Sequence, residues 1–217
     1  MRLESNRDGS MKVWLTEPEY EVLVDSADEQ AALAMAYGAE VGLRVSEIAA
    51  VTRGAHRETA VDVSAVPGAG VPDNATGTVK VTWLAVYGKD TSGERDGGKR
   101  RDALVPDSLA TSARLYQLEA GINDDEPLFD VTPRTIRSWI TDAGVTAATS
   151  TGNDDYRKVS PHDLRRYFAT RMLQVHGLNP EVVMEVGGWD SYQALRPYLQ
   201  SPVEEVIAAE YAANGLL

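Results

Sequence analysis

The sequence contains no cysteine, which excludes thiol nucleophiles, thiolate metal sites and disulfides. It also lacks any apolar run near the roughly 20 residues that span a bilayer, and its first ten residues contain no apolar signal core. We therefore expect a cytoplasmic protein with no membrane partner. The 217 residues, of which 43% are hydrophobic, provide enough apolar surface for one substantial core.

Lysine is scarce, with 5 residues against 16 arginines, while 17 aspartates and 16 glutamates bring the net charge to −12. Such a charge argues at first against a nucleic-acid partner, because an acidic surface repels DNA. However, excess acid with little lysine is typical of proteins that stay hydrated in concentrated salt, where repulsion is screened within about 3 Å at 1 M. We therefore hypothesise a halophilic origin, with an ordinary acidic enzyme as the alternative.

Capping residues and hydrophobic spacing predict helices in the first quarter of the chain. Thr16 is a candidate N-cap of a first helix, a second helix is expected from about Asp28 to Gly38, and a third begins within 42–48. The β-branched runs at 61–63 and 78–86, with a last strand at 102–106, then predict a small antiparallel sheet. A polar, glycine-rich hairpin loop is expected at 88–98.

The second half is predicted to return to helix. The expected helices cover residues 106–119, 133–143, 161–176, 180–187, 191–199 and 203–214. Residues 144–157 are predicted to form an exposed loop. The sequence therefore predicts an α+β fold, mainly α-helical with a small antiparallel β-sheet.

The strongest motif is PHDLRRYFATR at residues 161–171. If this segment is helical, His162 and Arg165 lie three residues apart on one face. Such a pair alone is more often an ordinary surface pair. The complete string, however, resembles the second conserved box of the tyrosine recombinases, the phage integrase family.

Two further segments and one tyrosine carry the same resemblance in the order that the family requires. GLRVSEI, at 42–48, is similar to the first arginine box and contains Arg44. GGWDS, at 187–191, places Trp189 where most members have histidine. Tyr198 follows Trp189 by nine residues, the family's usual interval to the nucleophile, whereas Tyr192 and Tyr211 fit that interval less well.

A lysine is also expected from the resemblance. Lys89 follows the strand ending in Tyr87 and Gly88 and is similar to the catalytic lysine that a β-hairpin presents in the family. Lys99, in the basic run Lys99-Arg100-Arg101, competes for this role because the loop is longer than usual.

The resemblance implies transfer of a DNA phosphoryl group to Tyr198. Arg44 and Arg165 would clamp the non-bridging oxygens, since planar guanidinium groups bind phosphate with two parallel hydrogen bonds. His162 would act as base, and as acid in the reverse step, while Lys89 would protonate the departing 5′ oxygen.

Two further residues complete the implied catalytic set. Trp189 would donate its indole N–H to a phosphate oxygen and brace the Tyr198 ring. Glu47, one helical turn after Arg44, would orient a group of the site, with a solvated carboxylate as the alternative.

The resemblance implies a site-specific DNA recombinase that forms a 3′-phosphotyrosyl intermediate at Tyr198 and needs neither cofactor nor metal. Its partners would be double-stranded DNA and further copies of the chain in a tetrameric synapse. Chromosome or plasmid dimer resolution of the Xer type and a catalytically inactive DNA-binding module are the alternatives. The expected source is a haloarchaeon or its virus or provirus.

The resemblance also implies the domain organisation. We expect an N-terminal segment at 1–12, a recombinase catalytic domain at 13–200 and a tail helix at 201–217. The core-binding domain that usually precedes the catalytic domain is expected to be absent. The apolar stripe of the tail helix is predicted to dock either on its own domain or on a neighbouring protomer.

Overall fold

Helices dominate the residues that the structure describes, and two small antiparallel sheets accompany them there. The computed structural model describes residues 1–5, 11–65, 77–88, 100–199, 202 and 204–214. The strands are β1 (Arg2–Ser5), β2 (Met11–Trp14), β3 (His56–Asp62), β4 (Thr78–Tyr87) and β5 (Arg100–Val105). The helices are α1 (Glu17–Asp25), α2 (Glu29–Glu40), α3 (Val45–Ile48), α4 (Asp107–Ala120), α5 (Pro133–Thr151), α6 (Pro161–Thr170), α7 (Pro180–Gly187), α8 (Tyr192–Leu195) and α9 (Glu204–Ala213).

The predicted fold class is confirmed: the protein is α+β and mainly helical. The predicted N-cap at Thr16 and the predicted start of the second helix near Asp28 also hold. The Thr16 backbone N–H donates to Glu19 Oε2 at 2.8 Å, and Asp28 Oδ1 accepts from the Ala31 N–H at 2.8 Å. These bonds satisfy backbone donors that the first turn of a helix leaves unpaired.

The larger sheet has the strand order β3-β4-β5, with both pairs antiparallel. One face of β4 and β5 enters the core through Leu84, Val86, Ala103 and Val105. The first strand begins at His56, earlier than the predicted 61–63, because β3 is an edge strand whose mostly exposed residues lack hydrophobic alternation. Most of the predicted hairpin loop at 88–98 lies outside the described residues.

A β-hairpin at the N-terminus forms the second sheet. Strand β1 pairs with β2 in the register Leu3↔Val13, so residues that the sequence assigned to a simple N-terminal segment are part of the folded unit. Val13 and Trp14 at the end of β2 are buried. This hairpin brings Trp14 to the candidate active site.

The predicted exposed loop at 144–157 is wrong. Helix α5 continues to Thr151, and a 3-10 turn at Asp154–Lys158 follows it. Ala147 and Ala148 are buried, and a Cβ on Gly144 would lie 2.5 Å from the Tyr156 carbonyl oxygen. The small residues that suggested a loop instead allow the 3-10 turn to pack closely on the helix.

Two predicted helices change form before they end. Helix α6 ends at Thr170 and continues as a π turn at Arg171–Val175, and α8 passes into a 3-10 turn at Arg196–Tyr198 that contains Pro197. Proline removes a backbone donor and disfavours continuation of a regular α-helix. Tyr198 therefore lies in a short turn and not inside a long helix.

Within the described ranges, no helix is both long enough and apolar enough to cross a membrane.

Candidate active site

The start of helix α6 is anchored by a buried carboxylate. Asp163 accepts from the Ser160 backbone N–H at 2.9 Å and from the Val13 backbone N–H at 2.8 Å. Arg166 forms an ion pair with the same carboxylate. Because Val13 belongs to β2, Asp163 joins the N-terminal hairpin to the helix that carries His162 and Arg165.

His162 is exposed on the first turn of α6, in contrast to the buried residues that follow it. Protein atoms that displace water from part of its ring, followed by the positive charges of Arg166 and Arg165, lower the pKa of His162. The ring is therefore neutral at neutral pH, which is the form that accepts a proton.

Arg165 is buried, and its guanidinium donates to backbone carbonyls from two separate segments. Its Nη1 donates to the carbonyl oxygens of Gly42 and of Gly187, the latter at 2.7 Å, and its Nη2 donates to Gly188 at 3.4 Å. The guanidinium carbon also lies 3.8 Å from the Trp189 ring centroid. Burial and the neighbouring Arg44 charge lower the pKa of Arg165 to about 9, so the group stays charged at neutral pH.

Arg44 approaches the same point from the start of α3. Its Nη2 donates to the Gly188 carbonyl at 3.0 Å and its Nη1 donates to Glu47 Oε1 at 2.8 Å. The Arg44 side chain is 42% exposed. The two arginines of the sequence motifs therefore meet at one carbonyl oxygen, and Arg44 is the one open to solvent.

Glu47 is buried, so the alternative of a solvated carboxylate does not describe it. It accepts from the Arg44 backbone N–H at 2.9 Å and from both terminal nitrogens of Arg101, at 3.0 and 2.8 Å. Burial acts to raise the pKa of Glu47, but the hydrogen bonds and charge of Arg101, followed by those of Arg44, lower it to about 2.

Sequence reasoning missed Arg101, which it treated only as part of a basic run. The residue lies on β5, and side chains two residues apart on a strand share a face. Arg101 therefore lies on the same face as Ala103 and Val105, both buried. An arginine at an inward position of a strand indicates a buried acidic partner, and this signal was available in the sequence.

Tyr198 lies in an aromatic cluster. Its ring meets Trp189 edge-on with 5.8 Å between centroids and meets Trp14 similarly at 6.2 Å. The Trp189 ring is in turn parallel to Phe168 at 6.2 Å. Tyr198 is only 7% exposed, and Trp189 connects it to Arg165.

The two other candidate tyrosines have different surroundings. Tyr192 is 57% exposed on α8, and Tyr211 is 51% exposed on α9. Neither is among the ring contacts of the Trp189 cluster in the part of the chain that the structure describes. Proximity to Trp189 therefore distinguishes Tyr198.

The predicted residues that the structure brings together surround Gly187 and Gly188: Arg44, Glu47, Arg165, Trp189 and Tyr198. His162 lies one helical turn before Arg165. Lys89 and Lys99, the two lysine candidates, lie outside the described residues. Among the described residues no group of three or more His, Asp or Glu side chains could hold a metal ion.

Substitution of Gly187 by alanine is expected to displace the Trp189 ring, because a Cβ at this position would lie 2.0 Å from Trp189 Cζ3. Overpacking of this kind typically costs about 1–3 kcal/mol. Thermal unfolding of Gly187→Ala should show a lower midpoint, and near-ultraviolet circular dichroism should show an altered tryptophan signal. An unchanged midpoint and spectrum would contradict the described packing of Trp189.

The second half of the chain matches a known protein family. Residues 112–205 match the phage integrase family. This family region includes α6, α7 and the turn that holds Tyr198, and it amounts to less than half of the chain. A comparison with curated proteins gave no match.

Solved structures with similar folds extend the likeness to nearly the whole chain. The XerA recombinase is 22% identical, with a TM-score of 0.64 over 93% of this chain and 65% of that protein. XerH bound to a palindromic difH substrate, in a post-cleavage complex, is 16% identical, with a TM-score of 0.59 over 91% of this chain and 52% of that protein. The Tn1549 transposon integrase in complex with transposon right-end DNA is 15% identical, with a TM-score of 0.60 over 93% of this chain and 65% of that protein.

These likenesses show that the chain has the fold of tyrosine recombinase catalytic domains. The chain spans only about half to two thirds of the length of these structures.

Proposed function

We propose that this chain is the catalytic domain of a site-specific DNA recombinase that cleaves and rejoins DNA through a 3′-phosphotyrosyl intermediate at Tyr198. The observation that carries the proposal is the convergence of Arg44 and Arg165 on the Gly188 carbonyl, with Tyr198 two aromatic contacts away through Trp189. A phenol next to paired guanidinium groups suits the transfer of a phosphoryl group to tyrosine.

The two arginines stabilise the charge that builds up on the non-bridging oxygens of the scissile phosphate. The Arg44 side chain is exposed to solvent and can therefore contact DNA. Three of the five N–H groups of Arg165 donate to backbone carbonyls, so the Nε hydrogen and one Nη2 hydrogen remain for the phosphate. Carbonyl contacts from two segments hold this guanidinium in place before DNA arrives, so it loses little freedom on binding.

Proton transfers accompany the displacement. The phenol must lose its proton as its oxygen bonds to phosphorus, and neutral His162 accepts that proton. The departing 5′ oxygen gains a proton from Lys89, with Lys99 as the alternative donor. The reverse step regenerates the phenol and the DNA backbone, so the bond energy is conserved without a cofactor.

DNA as a partner must be reconciled with a net charge of −12. Two of the similar structures are DNA complexes, and three arginines, Arg44, Arg101 and Arg165, lie around Gly188 at the site. High salt would screen the remaining acidic surface. The proposal therefore includes double-stranded DNA in the cytoplasm as substrate and a haloarchaeal cell, virus or provirus as source.

We extend the proposal to a homo-oligomer on DNA, with a catalytic domain at 13–200 and a tail at 201–217. Helix α9 leaves Ile207 and Tyr211 exposed, at 45% and 51%, although its apolar stripe is too short to be stable alone. Such a face gains stability by docking, and a neighbouring protomer in a tetrameric synapse would provide the surface.

The Xer-type reaction is the second candidate, favoured by the likeness to XerA and XerH. The same chemistry would then resolve chromosome or plasmid dimers. The two functions differ in the DNA that is joined, so sequencing of the recombination products separates them.

A target-independent capture tests the proposed function. Short duplexes with randomised sequence and a nick near the centre lose the fragment that would be needed for rejoining, so cleavage traps the protein on DNA. Complexes that survive detergent are isolated and their DNA is sequenced. We expect a defined sequence to be enriched as a covalent adduct, and the absence of any adduct would contradict the proposal.

Salt is expected to stabilise the protein. Between Arg114 and Arg134 the sequence has no basic residue, and the acidic residues of this stretch are all exposed: Glu119, Asp124, Asp125, Glu126 and Asp130. Screening reduces their mutual repulsion, so the melting temperature should rise between roughly 0.1 and 2 M KCl. A melting temperature that stays constant or falls over this range would remove the argument for a halophilic source.

A further inference from the structure

A third arginine lies behind the two that face the phosphate site. The Arg101 side chain is 5% exposed and that of Glu47 is 2% exposed. Arg101 donates through both terminal nitrogens to the two oxygens of Glu47, and its Nε donates to the Val186 carbonyl at 3.1 Å. Each of its three guanidinium nitrogens therefore donates to a protein oxygen, whereas Arg44 is 42% exposed.

Arg101 gives the pair of Glu47 and Arg44 an excess of one positive charge. Glu47 alone would neutralise Arg44, because its Oε1 accepts from Arg44 Nη1 at 2.8 Å. A single carboxylate that holds two guanidinium groups leaves one net positive charge in the cluster. Of the two guanidinium groups only that of Arg44 is well exposed, so a phosphate would meet the positive charge there.

Arg101 also shapes the segment to which both motif arginines donate. Gly188 has a φ of 71°, and a Cβ on it would lie within 2.8 to 2.9 Å of Arg101 Cδ, Nε and Cζ. The Arg101 side chain therefore packs directly against the backbone of Gly188. The Val186 contact holds the end of α7 to β5, immediately before the carbonyls that bind Arg44 and Arg165.

We propose that Arg101 is a positioning residue for DNA strand cleavage: it binds the Glu47 carboxylate from behind and holds the 186–188 backbone, so that Arg44 keeps its orientation and its charge for the scissile phosphate. This inference rests on the proposed recombinase function. Its support is geometric, since one guanidinium connects β5, α3 and the end of α7 through hydrogen bonds to named atoms.

The test compares Arg101→Met with Arg157→Met on a duplex selected by the covalent capture. Arg157 is a matched control because its exposed side chain pairs only with Asp154 among the described residues, and the charge change is the same. We expect Arg101→Met to lower the single-turnover cleavage rate about 10²-fold, the loss typical of a misplaced reacting group, with little change in DNA affinity. Arg101→Lys should recover part of the rate, and Arg157→Met should cleave as the wild type does.

A substrate with a methylphosphonate at the scissile position separates positioning from general damage to the fold. This group lacks one negative charge, so its cleavage depends less on the charge of Arg44. The rate ratio of wild type to Arg101→Met should therefore shrink on this substrate, whereas a merely structural defect would lower both rates alike. The double variant Glu47→Gln, Arg101→Met removes a buried carboxylate that has lost one of its two arginine partners, so it should melt at a higher temperature than Arg101→Met.

A measurement without DNA tests the contact between Arg101 and Glu47. Carbon-13 NMR of the Glu47 carboxyl should show a higher pKa for Glu47 in Arg101→Met than in the wild type. Burial raises this pKa, and the loss of Arg101 removes positive charge that lowers it. If the wild type forms the adduct, three results would overturn the inference but leave the proposed function standing. They are unimpaired cleavage by Arg101→Met, an equal loss of rate on both substrates, and an unchanged pKa of Glu47. A wild-type chain that captures no duplex would overturn the proposed function and the inference with it.

Discussion

Tyr198→Phe is expected to abolish the covalent protein–DNA adduct while the protein remains folded and binds DNA. The phenyl ring retains the edge-on contacts with Trp14 and Trp189, so only the attacking hydroxyl is lost. The unfolding free energy should change by no more than about 1 kcal/mol. Incubation with the selected nicked duplex, followed by denaturing electrophoresis, measures the adduct directly.

Tyr192→Phe and Tyr211→Phe are the matched controls, since each removes the same atom from an exposed tyrosine. Both variants should form adducts at rates near those of the wild type. If Tyr198→Phe still formed the adduct and Tyr192→Phe did not, the nucleophile would be Tyr192.

Lysine in place of Arg165 or Arg44 is expected to slow cleavage by about 10²–10³-fold, the range found when a transition-state donor is removed. An ammonium group cannot provide two parallel hydrogen bonds to a phosphate. Arg165→Lys should also destabilise the fold, because it loses the carbonyl contacts to Gly42 and Gly187 and the stack on Trp189. Arg44→Lys should melt closer to the wild type, since the Arg44 side chain is partly exposed.

Single-turnover cleavage and thermal unfolding of the two variants provide the comparison, with Arg157→Lys as the surface control. Cleavage at the wild-type rate by both Arg165→Lys and Arg44→Lys would exclude the two arginines from the reaction. A loss in the control of similar size would indicate that any change of arginine weakens DNA binding.

The helix starts were predictable because their signals are local. The Thr16 backbone N–H donates to the Glu19 side chain, and the Asp28 side chain accepts from the Ala31 backbone N–H. Each bond joins residues three apart, so a short window of sequence contains its cause. The 144–157 segment was not predictable in this way. Its small residues are equally typical of a loop and of a close contact, and the contact between Gly144 and Tyr156 that decides between them arises only in the folded chain.

The residues of the candidate site also differ in how far the sequence could predict them. Arg44, His162, Arg165, Trp189 and Tyr198 could be singled out because their spacing is that of a family motif. Trp14 and Asp163 could not, since their roles depend on the β1–β2 hairpin reaching α6 across a sequence separation of 150 residues. Arg101 lies between these cases, because its inward strand position was readable but its partner Glu47 was not.

The position of the bond between protein and DNA tests the central claim most directly. Adduct formed on the selected duplex can be digested with protease and nuclease, and tandem mass spectrometry then locates the modified residue and the DNA end attached to it. The account predicts a 3′-phosphate of DNA on the Tyr198 hydroxyl. Attachment to any other residue, or through a 5′-phosphate, would contradict it.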